Sequence, residues 1–382
     1  FVDFIFQHNF TILSVRKAKN LLHNLETPFK SRIVTFQNLH VQTVMNPFET
    51  KILGKTGVKT PLLGFGGAPL GELFEKVEHL QAVETLNEAY DSGIRYYDTA
   101  PWYGHGLSEH RLGNLLRQKH RHDFILSTKV GRVYRPFKGD PVLFDGSPWV
   151  GGLPFEWRFD YSAAGFERSF LDSTMRLGLN RIDILVIHDL DSSYHGKSVS
   201  KKLHELESGM DWLKTMKNSK VIQAFGAGIN EIEMIPLFLE HFELDFFLVA
   251  MPYTLLNQGP LEEIFPECER HGVGIIIGSP YASGILATGS REESKYGYAN
   301  VSEEIRKKVK SIELICDAHG IPLKAAALQF PLAHPLVSSV IPGALKDTQV
   351  LENIEMLKRP VPPEFWIELK QTGLLHPDAP VA

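Results

Sequence analysis

The sequence predicts one α/β domain built as an eight-stranded (β/α)8 barrel, the TIM-barrel class. From Leu62 onward, eight short runs rich in Val, Ile, Leu and Phe alternate with longer segments of helical periodicity, a pattern typical of strand-helix-strand units. No GxGxxG motif opens a helix after the first run, because Gly64, Gly66 and Gly67 continue into the turn-like segment 68–71. The chain has 382 residues, enough for a barrel of this class, which commonly occupies about 250 residues or more. A closed barrel is therefore favoured over an open doubly wound sheet.

Each apolar run predicts one barrel strand. The predicted strands end near Gly66, Asp98, Lys129, His188, Gly228, Met251, Ser279 and Pro342. Amphipathic stretches between them predict covering helices over residues 80–92, 163–177, 203–217 and 262–271. Upstream, the glycine-containing stretch 51–58 predicts a β-hairpin that plugs the N-terminal end of the barrel. Long interruptions follow three strands, at 132–160, 190–201 and 284–301, and barrel enzymes build their sites in such loops.

Composition and charge argue against several function classes. The formal net charge is −5 with no basic stripe for nucleic acid, and no segment approaches the roughly 20 apolar residues that span a bilayer. Cys268 and Cys316 have no CxxC spacing, so neither a disulfide framework nor a zinc site is indicated, and both are expected to be buried helix residues. We therefore expect a cytoplasmic protein, a monomer or weak homo-oligomer, that binds a small-molecule partner and no metal.

The first 44 residues are predicted to be an extension outside the barrel domain, which is assigned to residues 45–382. They begin with Phe, carry several basic and few acidic residues, and do not join the strand-helix pattern. Translated upstream sequence, a fragment boundary and a transit peptide are the alternatives, and Met45 is a candidate natural start.

Four ionisable residues are predicted to meet on one rim of the barrel. Asp98, Lys129 and His188 end the second, third and fourth strands, and Tyr103 follows the second strand by five residues. Barrel active sites lie on the rim formed by the carboxyl ends of the strands. Because tyrosine has an ordinary pKa near 10, we expect the Lys129 ammonium to lower the pKa of Tyr103. Asp98 would hold the lysine, and His188 would orient a substrate oxygen.

Each of these residues also has a simpler explanation when taken alone. A charged residue at a strand end is usually a cap or a solvated ion pair, and Tyr103 could be a packing residue beside Trp102. The shared rim favours proton-transfer chemistry, since four such groups together are a more specific signal than any one of them.

The sequence around these residues resembles the aldo-keto reductase family. The stretch GIRYYDTAPWYG at 93–104, continuing through Ser108 and Glu109, is similar to the family's signature around its aspartate and tyrosine. Further similarity occurs at 127–129, 176–188 and 341–353. The resemblance implies a barrel that binds an extended NAD(P) without a Rossmann domain. It also implies a catalytic tetrad, at Asp98, Tyr103, Lys129 and His188.

The same resemblance implies cofactor contacts. Asn230 keeps the contact with the nicotinamide carboxamide, although the family's serine before it is absent, and Tyr253 stacks on the nicotinamide ring. The other implied cofactor positions are Gly66, Ser279, Tyr281, Gly284, Ile341, Gly343, Gln349, Glu352 and Asn353. NADPH-preferring relatives carry a basic residue, a hydroxyl and an arginine where this chain has Gly343, Ala344 and Gln349. NAD is therefore expected over NADP, although Lys346 could compensate and NADP stays open.

Within that family, the chain is similar to the branch that oxidises aldoses and pyridoxal. This implies oxidation of the anomeric hydroxyl of an aldose such as L-fucose to a lactone, or alternatively oxidation of pyridoxal, whose cyclic hemiacetal also yields a lactone. The loop 132–159 is rich in aromatic rings, most of which are expected to anchor it on the barrel. Trp102 and Trp157 are the candidate substrate contacts. A general aldehyde or ketone reductase and a non-catalytic, cofactor-sensing binding subunit remain alternatives.

Overall fold

The computed structural model describes residues 44–297 and 299–381, so the predictions for residues 1–43 lie outside the described residues. In chain order, the strands are β1 (Thr50–Ile52), β2 (Lys59–Pro61), β3 (Phe65–Gly66), β4 (Tyr96–Asp98), β5 (Ile125–Val130), β6 (Arg132–Pro136), β7 (Phe155–Phe159), β8 (Ile184–His188), β9 (Ala224–Ile229), β10 (Phe246–Ala250), β11 (Gly274–Gly278), β12 (Lys295–Tyr296), β13 (Ala299–Asn300) and β14 (Val337–Ile341). The helices are α1 (His79–Asp91), α2 (Leu107–Leu116), α3 (Ala163–Leu177), α4 (Ser192–His195), α5 (Val199–Asn218), α6 (Met234–His241), α7 (Ile264–His271), α8 (Ile285–Thr288), α9 (Glu303–His319), α10 (Leu323–Leu332), α11 (Asp347–Lys358) and α12 (Pro363–Gln371).

Eight of the strands form one parallel sheet that closes on itself. Its order is β3, β4, β5, β8, β9, β10, β11 and β14. The amide of Gly64 donates to the carbonyl of Val340 at 2.9 Å, and the amide of Gly66 donates to the carbonyl of Pro342 at 3.0 Å. The first and last strands are therefore joined, and the predicted (β/α)8 barrel is confirmed.

The helices cover the barrel because each presents an apolar stripe to the strands. Helix α3 begins after Ser162, whose Oγ accepts from the amide of Gly165, and ends at Gly178 with a φ of 64°. Its buried side includes Phe166 and Phe170, which belong to the large apolar layer between strands and helices. Cys268 and Cys316 are buried in α7 and α9, as the sequence predicts.

The N-terminal hairpin plugs one end of the barrel. Strands β1 and β2 pair antiparallel, and Leu53 and Val58 in the turn between them join the apolar cluster inside the barrel. At Gly54, which has a φ of 53°, a Cβ atom would lie 2.2 Å from the carbonyl oxygen of Asp245. Asp245 directly precedes β10, so the hairpin lies against the end at which the strands begin, and the predicted plug is confirmed.

A second hairpin stands on the opposite rim and was not predicted. Strands β6 and β7 pair antiparallel with Arg132 opposite Phe159. The chain enters this hairpin through Gly131, whose φ of 112° favours glycine. The interruption at 132–160 is therefore partly a β-structure over the rim that carries the predicted site. Among the described residues, no helix combines the length and apolar character needed to cross a membrane.

Candidate active site

The structure brings the four predicted ionisable residues together on the rim where the strands end. Asp98 and His188 are the last residues of β4 and β8, and Lys129 is the penultimate residue of β5. Tyr103 lies in the turn that precedes α2. A serine hydroxyl anchors this turn, because Ser108 Oγ donates to the carbonyl of Gly67 at 2.8 Å. The βα loops of adjacent strands thus place all four side chains at one end of the barrel.

Lys129 and Asp98 form a fully buried ion pair. Lys129 Nζ lies 2.6 Å from Asp98 Oδ2, and the two side chains are 1% and 2% exposed. Lys129 Nζ also donates to the carbonyl of Thr99 at 2.9 Å, while Ser127 Oγ donates to Asp98 Oδ1 at 2.7 Å. The pair is held on both sides, which fixes the ammonium in place.

Tyr103 lies beside this pair, but its pKa is not lowered as the sequence analysis expected. Lys129 Nζ is 4.6 Å from the centroid of the Tyr103 ring. Burial raises the pKa of Tyr103 well above its ordinary value of 10.0, and the carboxylates of Asp98 and Asp189 raise it further. The ammonium is already neutralised by Asp98, so its charge does not outweigh burial. Without ligands, Tyr103 is therefore a neutral phenol, ready to donate a proton.

His188 lies across from Tyr103 and is neutral. The two ring centroids are 6.0 Å apart in an edge-on arrangement. Burial lowers the pKa of His188 well below its ordinary value of 6.5, and the positive charges of Arg132 and Lys129 lower it further. His188 Nδ1 lies 3.1 Å from a terminal nitrogen of Arg132.

Two cavities meet at Tyr103. The larger, of about 470 Å³, is a groove that runs from Asp98 and Tyr103 past the ends of β11 and β14 to α11. The smaller, of about 340 Å³, also reaches Lys129 and His188. Ala68, Leu73, Phe74, Leu248 and Ala250 line both cavities. Volumes of this size suit small-molecule ligands, and the shared boundary allows two ligands to meet beside the phenol.

The larger groove contains most of the residues predicted to bind the cofactor. Of the predicted set, Gly66, Ser279, Tyr281, Gly284, Ile341, Gly343, Gln349, Glu352 and Asn353 line it. Small residues keep its floor open near Tyr103, where Ala250 and Gly278 end β10 and β11. At Gly66, a Cβ atom would lie 2.6 Å from the carbonyl oxygen of Ile341, so a larger residue is excluded. The length of the groove and its polar far end fit an extended dinucleotide.

Two predicted contacts lie elsewhere. The Tyr253 ring is fully buried and packs against Phe265 and Phe330, with ring centroids 4.7 and 5.1 Å away, and it lines neither cavity. The Trp157 ring packs against that of Trp102, with ring centroids 5.0 Å apart, and it also lines neither cavity. Neither cavity wall therefore supports the predicted nicotinamide contact of Tyr253 or the predicted substrate contact of Trp157, and both stay predictions.

The smaller cavity has contributors that sequence reasoning missed. Trp102 lines it as predicted, whereas Asn230, which was predicted as a cofactor contact, lines this cavity and not the groove. Trp149, Asp189 and Tyr194 line the smaller cavity as well. Asp189 follows β8 with a φ of 53°, an uncommon conformation for a non-glycine residue and one that concentrates at functional sites. The sequence shows that Asp189 and Asp191 follow His188 closely, but the place of Asp189 on the cavity wall depends on this turn of the backbone.

Comparisons with known proteins agree with this architecture. The model of the aldo/keto reductase family matches residues 62–373. A pyridoxal 4-dehydrogenase from Microbacterium luteolum is 38% identical over 86% of this chain and 98% of its own length. A D-threo-aldose 1-dehydrogenase from a Pseudomonas species is 36% identical over 84% of this chain and 96% of its own. The solved structure of an aldo-keto reductase from Bacillus halodurans superimposes with a TM-score of 0.65 at 25% identity, covering 88% of this chain and 98% of that one. The chain belongs to the aldo/keto reductase family and is an NAD(P)-dependent oxidoreductase.

Proposed function

We propose that the protein oxidises the hydroxyl of a cyclic hemiacetal to a lactone with NAD, and that its substrate is an aldose oxidised at the anomeric carbon. The observation that carries this proposal is the smaller cavity, which presents Tyr103 and His188 beside a wall that is partly polar and partly aromatic. The carbonyl oxygen of Asn230 and the Tyr194 hydroxyl are suited to sugar hydroxyls, and Asp189, which pairs with Arg132 and the Asn230 amide, can accept one further hydrogen bond from a sugar. Trp102 and Trp149 are suited to the apolar face of a ring.

The roles of the four rim residues follow from their contacts. When bound, the nicotinamide supplies the hydride acceptor. Tyr103, in its phenolate form, takes the proton of the substrate hydroxyl, and His188 donates a hydrogen bond to the same oxygen. The ion pair of Lys129 with Asp98 holds both side chains in place, so the ammonium and the carboxylate keep fixed positions beside the Tyr103 phenol.

Pyridoxal is the second candidate, because its hemiacetal undergoes the same reaction and a similar protein from Microbacterium luteolum is a pyridoxal 4-dehydrogenase. The aromatic wall accepts a pyridine ring as well as a sugar. The polar wall at Asp189 and Asn230 favours the aldose, because a sugar has more hydroxyls to pair with it.

The preference for NAD rests on the charges at the far end of the groove. Among the described residues that line it, Lys324 is the one cation, and its Nζ lies 2.6 Å from Glu352 Oε2. Gln349 Oε1 accepts from the amide of Leu345 at 2.7 Å and is committed to the turn before α11. A 2′-phosphate would meet a carboxylate and no unpaired cation, and it would forgo charge-assisted bonds worth about 1.5–3 kcal/mol each.

A substrate screen tests this proposal. L-fucose, D-arabinose, L-galactose and pyridoxal would be supplied with NAD and, separately, with NADP, and the appearance of reduced cofactor would be followed by absorbance. We expect the highest kcat/KM with an aldose and NAD. A higher kcat/KM for pyridoxal would reject the aldose assignment, and tenfold higher values with NADP would reject the cofactor assignment. Tight NAD binding without turnover of any sugar, aldehyde or pyridoxal would instead indicate a cofactor-sensing binding subunit.

A further inference from the structure

A buried arginine directly contacts the histidine of the site. Arg132, the first residue of β6, is 2% exposed. Its guanidinium carbon lies 4.5 to 5.2 Å from the ring centroids of four aromatic side chains, Trp102, Trp157, Phe159 and Tyr194. A terminal nitrogen forms an ion pair with Asp189 Oδ2 at 2.8 Å. Taking both charges of this pair out of water is costly even though they are paired, so the position of Arg132 requires an explanation beyond packing.

The contact with His188 determines which ring nitrogen carries the proton. The other terminal nitrogen of Arg132 lies 3.1 Å from His188 Nδ1. A guanidinium has only donors, so Nδ1 must accept the hydrogen bond and cannot carry a proton. Because His188 is neutral, its single ring proton is on Nε2.

The Nε2 proton is available to the substrate. The nearest acidic oxygen, Asp189 Oδ2, is 3.5 Å from Nε2, which is beyond a normal hydrogen bond, and the same oxygen is bound by Arg132. His188 lines the smaller cavity beside Tyr103. The backbone at His188 and Asp189 is held in place as well, because Tyr161 Oη lies 3.0 Å from the carbonyl oxygen of His188 and 3.1 Å from that of Asp189.

We infer that Arg132 is a positioning residue that fixes His188 as the neutral tautomer protonated on Nε2, so that the imidazole donates to the oxygen of the substrate. Arg132 touches no substrate itself and acts through His188. Asp189 holds the arginine in place, and the aromatic rings around the guanidinium keep water away from the contact. This inference rests on the proposed oxidation of a hydroxyl, but the state of the His188 ring can be measured without any substrate.

The experiment uses the NAD complex of the full chain with 15N-labelled histidine. Comparison with a His188→Asn variant identifies the His188 resonances. In the wild-type protein we expect a protonated Nε2 and an unprotonated Nδ1. In Arg132→Met, which removes the donor, we expect a mixture of tautomers, a kcat lowered about 100-fold and unchanged affinity for NAD. The matched control is Arg135→Met on the same strand, whose arginine is 70% exposed and pairs with Glu156.

Two further measurements separate positioning from a purely structural role. Removal of the guanidinium charge should raise the pKa of His188, so kcat/KM in Arg132→Met should gain a new decline at acidic pH. Guanidinium ions at non-denaturing concentration should partly restore kcat in Arg132→Ala. If Arg132→Met does not fold, Arg132→Gln is used, because the glutamine amide can accept as well as donate a hydrogen bond at Nδ1 and should again give mixed tautomers.

The inference is overturned if a folded Arg132 variant shows the wild-type pattern of His188 resonances, whatever its activity. It is also overturned if tautomers mix but kcat is unchanged. If no substrate in the screen is oxidised but the wild-type His188 is protonated on Nε2 and Arg132→Met gives mixed tautomers, the proposed substrate is rejected and the role of Arg132 stands.

Discussion

Replacing Lys129 with methionine should destabilise the fold far more than the loss of a surface charge. The Lys129 and Asp98 side chains are 1% and 2% exposed and lie 2.6 Å apart, so the variant leaves a buried carboxylate without its counter-ion. Breaking such a pair from one side costs about 3–5 kcal/mol. Substituting both, as Asp98→Asn with Lys129→Met, removes the stranded charge and should recover part of that loss.

The assay is the free energy of unfolding from urea titration, measured for the two single variants and the double variant. The control is Arg168→Met, because Arg168 and Asp172 form an ion pair on the surface of α3 at 2.8 Å with side chains 65% and 25% exposed. A pair of that kind contributes roughly 0–1 kcal/mol. The reasoning would be refuted if Lys129→Met lost no more stability than Arg168→Met, or if the double variant lost the full sum of the two single losses.

Three other perturbations have definite expected outcomes. Because burial and two carboxylates raise the pKa of Tyr103 well above 10.0, its phenolate is scarce at neutral pH, and kcat/KM for oxidation should rise with pH from 7 towards 10; a flat profile would contradict this. Burial raises the pKa of Asp191 to about 7, whereas the pKa in the unfolded chain is near 3.8. Between these two pH values the folded protein holds a proton on Asp191 that the unfolded chain has released, so the free energy of unfolding falls as pH rises through this window. Asp191→Asn should therefore raise the free energy of unfolding at pH 8, by up to about 4 kcal/mol at roughly 1.4 kcal/mol per pKa unit. The control is Asp211→Asn at an exposed position. An equal gain at pH 4, or an equal gain in the control, would contradict this expectation. Glu352→Gln frees its lysine partner in the groove and should raise kcat/KM for NADP relative to NAD about tenfold, whereas Glu355→Gln on the exposed side of the same helix should leave the ratio unchanged.

The barrel was predictable because its strands are buried on both faces and read as continuous apolar runs. The predicted strand ends at Gly66, Asp98 and His188 coincide with those of β3, β4 and β8, and the other five differ by one residue. Helix α3 was predicted with its observed bounds, since Ser162 and Gly178 mark its ends in the sequence.

The parts that sequence reasoning missed depend on long-range contacts. Periodicity does not show that the chain after β10 buries Tyr253 against Phe265, a residue of α7. The choice between Trp149 and Trp157 as a cavity wall depends on how the loop between β6 and β7 folds back. The pKa of Tyr103 depends on the balance between burial, neighbouring carboxylates and an ammonium that Asp98 already neutralises.

The pairing of Arg132 with His188 was equally invisible in the sequence. The two residues are 56 positions apart and come together only because β6 stands over the rim at the end of β8. Arg132 was noted in the sequence only as the first residue of a long interruption.

The proton-transfer role of Tyr103 is tested most directly by kcat of Tyr103→Phe with NAD and the best substrate, together with the dissociation constant for NAD. The matched control is Tyr134→Phe, because the buried Tyr134 hydroxyl has no hydrogen-bond partner and lines neither cavity. We expect kcat to fall by about 10²–10⁴-fold in Tyr103→Phe with NAD binding retained, and to stay near the wild-type value in the control. Turnover in Tyr103→Phe close to that of the wild type would show that another group transfers the proton.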